Sequence, residues 1–284
     1  VEVGIALALV AAVMTNLASL LKHRGCHRAE PVRIHQPLRS ARALARSRWF
    51  AAGWGLAALA WLVHLTALSM APISLVQAVL AGGAVMLAVL SQQIFGHPVE
   101  RQQWLALLLG GAGLALLAVT LPQLSGSHSQ FAVGPMLGFE GGLALLASGL
   151  ALGHRSTRLA ARRGVLLAVL AGTLIAFAGI AIKGLFGADG VSLAVIAPWV
   201  ALTVLCGALA QYATVAALQG GQAIETIGLI GLVANATQIA AGVLVFGDPL
   251  SADPLGLTLQ ASAFAMVCAS ALLLPSRSPR PAPA

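Results

Sequence analysis

The chain has 284 residues, 59% of them hydrophobic and only 8% charged, with a formal net charge of +8. A water-soluble domain carries about a quarter of its residues as Asp, Glu, Lys and Arg, so the composition excludes an ordinary soluble enzyme or nucleic-acid-binding domain. The basic residues sit in a few short segments and read as membrane topology, while Cys26, Cys206 and Cys268 form no CxxC and imply neither a disulfide framework nor a zinc site.

Apolar runs long enough to cross a bilayer, about 18 residues or more, recur nine times. The first, Val3–Leu21, has no preceding basic region and no small-residue cleavage site before Lys22, so it reads as a retained helix. The second is Trp49–Met70, and the third, Pro72–Phe95, follows after almost no loop. The fourth is Trp104–Leu121 and the fifth Phe131–Leu152. The sixth to ninth are Gly164–Phe186, Val191–Leu218, Gln222–Phe246 and Leu255–Leu274. The tail 275–284, with Pro275, Pro279, Pro281 and Pro283, reads as disordered. Gly and Ala are abundant in the spans, and small residues let helix backbones approach closely in lipid.

Orientation follows from the cations. The segment 22–48 holds Lys22, Arg24, Arg28, Arg33, Arg39, Arg42, Arg46 and Arg48. Arg101 follows the third span, Arg155, Arg158, Arg162 and Arg163 follow the fifth, and Arg277 and Arg280 lie in the tail. These are fifteen of the sixteen Lys and Arg residues, and nine alternating helices put all of them on one side. The opposite loops carry His128, Asp189, Asp248 and Asp253 instead. The positive-inside rule then predicts the N-terminus outside and the C-terminus in the cytoplasm. Arg39, Arg42 and Arg46 recur at helical spacing within 38–49, which fits either an interfacial helix on anionic lipid or a solvated basic loop.

The chain also repeats itself. Phe95-Gly96-His97-Pro98 closes the third span and Phe246-Gly247-Asp248-Pro249 the eighth, with Ala67-Leu68 and Ala217-Leu218 upstream of each. An offset of five helices is odd, so the two copies are predicted to be inverted in the membrane. The expected fold class is thus an all-α polytopic membrane protein of about nine transmembrane helices as two inverted repeats, five plus four. The first repeat covers 1–153, with the basic cytoplasmic loop 22–48, and the second covers 164–274.

Several stretches carry a family likeness. They are Ala67-Leu-Ser-Met-Ala-Pro72, FGHPVERQQW at 95–104, GIAIKG at 179–184, AQYATVAALQ at 210–219 and FGDPLS at 246–251. With these the chain resembles the drug/metabolite transporter superfamily over nearly its full length. The nine-helix plan and the first helix ending in Leu20-Leu21-Lys22-His23-Arg24-Gly25 look most like NIPA-type magnesium transporters. EamA-type metabolite exporters have similar motifs but usually ten helices. The resemblance implies a multi-pass protein of the cell (inner or plasma) membrane.

Charged side chains inside the bilayer cost at least about 2.5–3.5 kcal/mol, which makes each a functional candidate. Glu140 lies about nine residues into the fifth span, roughly 13 Å deep and near the midplane, among Gly138, Gly141 and Gly142. A substrate or proton path and a structural pairing both fit it. Lys183, about 5 Å from the outer end of the sixth span, can snorkel to the interface or reach toward Glu140. Glu225 falls in the first turn of the eighth span, where the helix dipole favours an acid, and reads as a cap or a cytoplasmic gate. The neutral candidates are Asn235, Gln238, Asn16 and Gln77, which can hold a solute or bridge helices. His64 could relay protons or simply pack. Trp61 and Tyr212 fall at corresponding places of the two repeats and could line a cavity.

These features point to a secondary transporter of a small polar or amphipathic solute, working by alternating access, with proton or cation coupling and no bound cofactor. The magnesium reading follows from the NIPA resemblance, with Glu140 and Asn235 as the metal-facing residues. No HExxH, His/Asp cluster or Ser–His–acid set suggests an enzyme, and a non-transporting scaffold is the remaining alternative. The expected partners are the lipid bilayer and a small-molecule or ion substrate, with no nucleic acid and a homodimer left open.

Overall fold

The computed structural model describes residues 2–27, 29, 32, 36–71, 76, 79–80, 83–95, 99–120, 133–154, 162–186, 193–247 and 251–274. Among these residues all regular structure is helical. The helices are α1 (Glu2–Cys26), α2 (Pro37–Ala45), α3 (Arg48–Met70), α4 (Ala84–Phe95), α5 (Arg101–Thr120), α6 (Val133–Gly153), α7 (Arg163–Phe186), α8 (Leu193–Gly220), α9 (Ala223–Leu244) and α10 (Pro254–Leu273). Six of them, α1, α3, α6, α7, α8 and α9, are long and apolar enough to cross a bilayer. The chain is a multi-pass helical membrane protein. The helices α5 and α10, 20 residues each, match the expected fourth and ninth spans.

Two boundaries depart from expectation. The first helix runs on to Cys26, so Lys22 belongs to α1 and not to the loop beyond it. The third span, expected as continuous from 72 to 95, is interrupted among its described residues. Leu80 is helical, Gly83 is a turn residue, and α4 starts at Ala84. Glycine in a helix interior costs about 0.5–1 kcal/mol relative to alanine and is a common point of yielding. The Asn16 amide of α1 donates to the Gly83 carbonyl at 2.8 Å, beside the Leu87 backbone amide that donates to it at 3.2 Å, and so ties α1 to this turn. The basic stretch 38–49 does contain a helix, α2, with Pro37 in its first turn. Arg39, Arg42 and Arg46 of this segment are exposed, while Leu44 is buried against Phe50 and Leu20. The tail 275–284 lies outside the described residues.

Side-chain capping starts α3 and α10. The Ser47 hydroxyl accepts from the Phe50 amide at 3.4 Å, and the Asp253 carboxylate accepts from the Gly256 amide at 3.2 Å, with Pro254 in the first turn. Capping satisfies amides that have no partner within the helix. After α9 the chain turns at Gly247, whose φ of 69° is a left-handed conformation suited to glycine.

The helices pack in pairs. The strongest are α1 with α3, α7 with α8, α5 with α10, and α7 with α9. Buried residues make up 61% of the spanning parts of α7 and α9 but 22% of α3 and α6, so α7 and α9 form the centre and α3 and α6 the rim. Rim and outer faces carry exposed Leu59, Leu62, Leu105, Leu145, Leu146 and Val204, a surface made for lipid. The α5–α10 pair is tied by two bonds near one end and by one at the other. Gln102 donates to the Leu273 carbonyl at 2.6 Å, Ser270 to Ala106 at 2.6 Å, and Gln260 to Thr120 at 2.9 Å.

Close approach of α1 and α3 depends on small residues. A Cβ at Gly53 would stand 2.8 Å from the Ala18 carbonyl oxygen and 2.8 Å from the Lys22 side chain. Gly55, two residues on, has no heavy atom within 4 Å of that position. Gly53→Val is therefore expected to destabilise the purified protein by about 1–3 kcal/mol, the usual cost of overpacking, whereas Gly55→Val should leave it unchanged. Thermal unfolding in detergent checks both; equal behaviour of the two variants would contradict this packing.

Candidate functional site

A cavity of about 310 Å3 lies inside the bundle. The helices α1, α3, α8 and α9 supply most of its wall, and Leu80, Leu87 of α4 and Ile175 of α7 add to it. On α1 the lining residues Ala12, Thr15, Asn16, Ser19 and Lys22 follow helical spacing along one face. The other walls add Trp61 and His64 from α3, Gln211 and Thr214 from α8, and Asn235 and Gln238 from α9.

The apolar core is divided around this space. One cluster, including Leu20, Cys26, Phe50, Leu218 and Ile227, packs where α1 ends and α3 and α9 begin. A second, with Ala8, Ala67, Leu68 and Ala71, joins the opposite ends of α1 and α3. The largest cluster holds α5 to α10 together. The end bearing Lys22, Arg24 and Arg48 is the basic end. Counted from it, the lining residues of α1, α3, α8 and α9 span roughly 3–24 Å at 1.5 Å per residue, so the cavity reaches past the middle of a ~30 Å hydrocarbon core.

At the basic end α1 is fastened to the turn between α8 and α9. The His23 ring is 3.3 Å from the Gly221 carbonyl oxygen, and Gln219 donates to the Cys26 carbonyl at 3.4 Å. The same Gln219 accepts from the Val32 amide at 2.9 Å, and His27 lies 3.1 Å from His23 ring to ring. Beside this latch, Arg24 stacks over Trp49 at 4.4 Å, a cation–π contact of the kind that anchors a helix end at a membrane surface.

Of the residues singled out in the sequence, Asn16, Trp61, His64, Asn235 and Gln238 come together in this cavity. The Gln238 side chain also packs against Gly179 of α7, where an added Cβ would stand 2.7 Å from Oε1. Glu140 and Tyr212 are elsewhere: both line a second cavity of about 710 Å3 along α6, α7 and α8, with Trp199, Thr173 and His154. Glu140 is only 3% exposed, and neither carboxylate oxygen has a hydrogen-bond partner among the described residues. Glu140 and Asn235, the pair expected to face a metal, therefore line different cavities. Lys183, in the last turn of α7, lines neither cavity. Glu225 is buried in the first turn of α9, also outside both linings. Gln77 lies outside the described residues. Among the described residues, no three His, Cys, Asp or Glu side chains gather as a metal site would require.

The structure adds residues that sequence reasoning missed. Lys22 is only 9% exposed and lines the central cavity. Thr214 is 8% exposed, and its hydroxyl has no hydrogen-bond partner among the described residues. The His64 Nδ1 atom is likewise buried without a partner. A buried polar atom without a partner costs about 1–3 kcal/mol, so a cavity lined by several of them is a place where water or a solute is stabilised. The signal for Lys22 was present in its three- and four-residue spacing from Ser19 and Ala18, had the helix been extended by one turn.

No protein-family model, curated protein or solved structure matches the chain.

The unanswered carboxyl of Glu140 gives a direct test of the second cavity. Glu140→Leu is expected to raise the unfolding temperature of the purified protein, with a gain on the order of 1–3 kcal/mol from removing an unpartnered buried polar group. A lower melting temperature would show that the carboxyl has a stabilising partner.

Proposed function

We propose that this chain is a secondary transporter that moves a small polar or amphipathic solute across a cell membrane by alternating access, of the kind found in the drug/metabolite transporter superfamily. The observation that carries the reading is the polar cavity inside the bundle, with Asn16, Asn235 and Gln238 converging from α1 and α9. Ligand sites are typically cavities of about 300–1,000 Å3 with a few convergent polar groups in a mainly apolar wall. Transporters place such sites near mid-bilayer, where polar side chains are otherwise expensive.

In this proposal nine spans run from an outside N-terminus to a cytoplasmic C-terminus. Residues 1–153 and 164–274 form inverted repeats of five and four helices. Support comes from the pairing of helices: α1 packs on α3 as α7 packs on α8, five spans later. The α5–α10 pair joins the fourth span of one half to the fourth of the other. The central cavity lies where α1 and α3 of the first half meet α8 and α9 of the second. Alternating access then requires the His23–Gly221 and Gln219–Cys26 fastening at the basic end to open while the contacts at the opposite end close. Glu140, in its separate cavity, is suited to carry a coupling proton without touching the solute. Among the described residues the central lining contains Lys22 and no acidic residue, which does not favour the magnesium reading.

Counterflow in proteoliposomes tests the proposal. Vesicles loaded with an unlabelled solute should concentrate the labelled one transiently. Asn235→Leu, which removes a central hydrogen-bonding group, should reduce the initial rate at least about tenfold, the equivalent of roughly 1.4 kcal/mol. Glu140→Gln should preserve counterflow while abolishing uptake driven by a pH gradient. Counterflow unchanged in Asn235→Leu would remove the central cavity from the transport path.

A further inference from the structure

Among the described residues the central cavity has one charged wall residue. Lys22 comes from α1, is buried, and lies among the neutral polar groups of Ser19, Gln211, Thr214 and Asn235 in the lining. No acidic side chain is in that lining, and among the described residues no carboxylate pairs with Lys22. Burying a cation without a counter-charge is costly, and it is retained in a membrane protein where it meets a charge that comes and goes. A second observation points the same way. The Thr214 hydroxyl, more than nine-tenths buried and lining the same space, has no partner among the described residues, so it is free to donate.

On the reading of this cavity as the solute site, we propose that the solute is a small organic monocarboxylate whose charge is met by Lys22. The charge balance selects this class. A dianion such as a phosphate ester leaves one negative charge unmatched in a wall that offers a single cation. A cationic solute meets a like charge, which costs binding. A zwitterion matches Lys22 through its carboxylate but finds no acid for its ammonium. A monocarboxylate leaves no surplus charge. Its carboxylate accepts from Lys22 and from hydroxyl or amide donors such as Thr214 and Gln211, and its body lies against Ala57, Ala60, Leu87 and Ile230. The position of Lys22, four residues before the end of α1 and beside the basic-end latch, sets the carboxylate toward the basic end.

The test compares acetate, pyruvate and benzoate with acetamide, benzamide and benzylamine. Two readouts are used: thermal stabilisation of the purified full chain in detergent, and counterflow in proteoliposomes. At least one of the acids should stabilise the wild-type protein, and neither its amide nor the amine should do so at the same concentration. Lys22→Gln should raise the half-saturating acid concentration at least tenfold while raising the melting temperature of the ligand-free protein, since it removes an unmatched buried charge. Lys22→Arg should restore most of the acid response. An amide or amine that stabilises as well as the acid overturns the assignment, as does an acid response that survives Lys22→Gln or the lack of response to any acid. If Lys22→Gln does not fold, the acid-against-amide comparison on the wild-type chain decides alone. Acid binding without counterflow supports the assignment and counts against transport, whereas counterflow of an amide or amine supports transport and counts against the assignment.

Discussion

A polar group inside a lipid-embedded helix bundle has to find a partner within the protein or in what the protein encloses. Lipid tails offer none, and this constraint organises the whole chain. Backbone groups are satisfied within helices, which is why regular structure among the described residues is all helical. At the Gly83 turn the Asn16 side chain adds a second donor to a carbonyl that already accepts from the Leu87 amide. Where two helices must stay together, as α5 and α10 do, Ser270, Gln260 and Gln102 reach across to carbonyl oxygens. Such bonds are worth only about 0.6 kcal/mol each on average in membranes. Most of the cohesion therefore comes from close packing, which glycines such as Gly53 and Gly110 permit.

The same constraint singles out, among several buried polar groups without partners, four that line cavities. Among the described residues the Thr214 hydroxyl, the His64 Nδ1 atom and the Glu140 carboxyl are buried without hydrogen-bond partners, and Lys22 is a buried cation in a lining that holds no acid. Three of these four line one cavity between α1, α3, α8 and α9, and the fourth lines another. In the proposed function this division gives two tasks to the two sides of α8, solute recognition in the central space and proton handling beside α6. His23 and Gln219 join α1 to the turn between α8 and α9 at the basic end of the bundle.

Much of the fold was legible because hydrophobic length and charge placement are one-dimensional signals. The helices α3, α6, α7, α9 and α10 begin and end within about two residues of the apolar runs, as Ser47 and Asp253 caps and terminal arginines would dictate. Convergence of Asn16, His64, Asn235 and Gln238 was also readable, since polar residues in apolar spans tend to turn inward. The rest depends on helix rotation and on helix ends. Glu140 lies in the first half of α6, but its position along the helix does not say which face it occupies, and α6 turns it toward α7 and α8. Lys22 was assigned to the basic loop because charge marks helix ends, yet α1 continues for another turn and carries it inward. Thr214 and Gln219 lie within the 210–219 stretch, but neither stands out there as a polar contact. Their roles come from neighbours almost 200 residues away, as the Gln219 bond to Cys26 shows.

The most direct measurement of the central claim, that the cavity opens alternately to the two sides, is accessibility of Ser19, which lines it. A single-cysteine protein, Ser19→Cys with Cys26, Cys206 and Cys268 replaced by alanine, can be placed in right-side-out and inside-out vesicles. A membrane-impermeant maleimide would then be applied to each. The account predicts labelling from both sides, at rates that shift in opposite directions when a solute gradient is imposed. Labelling from one side only, under every gradient, would contradict it.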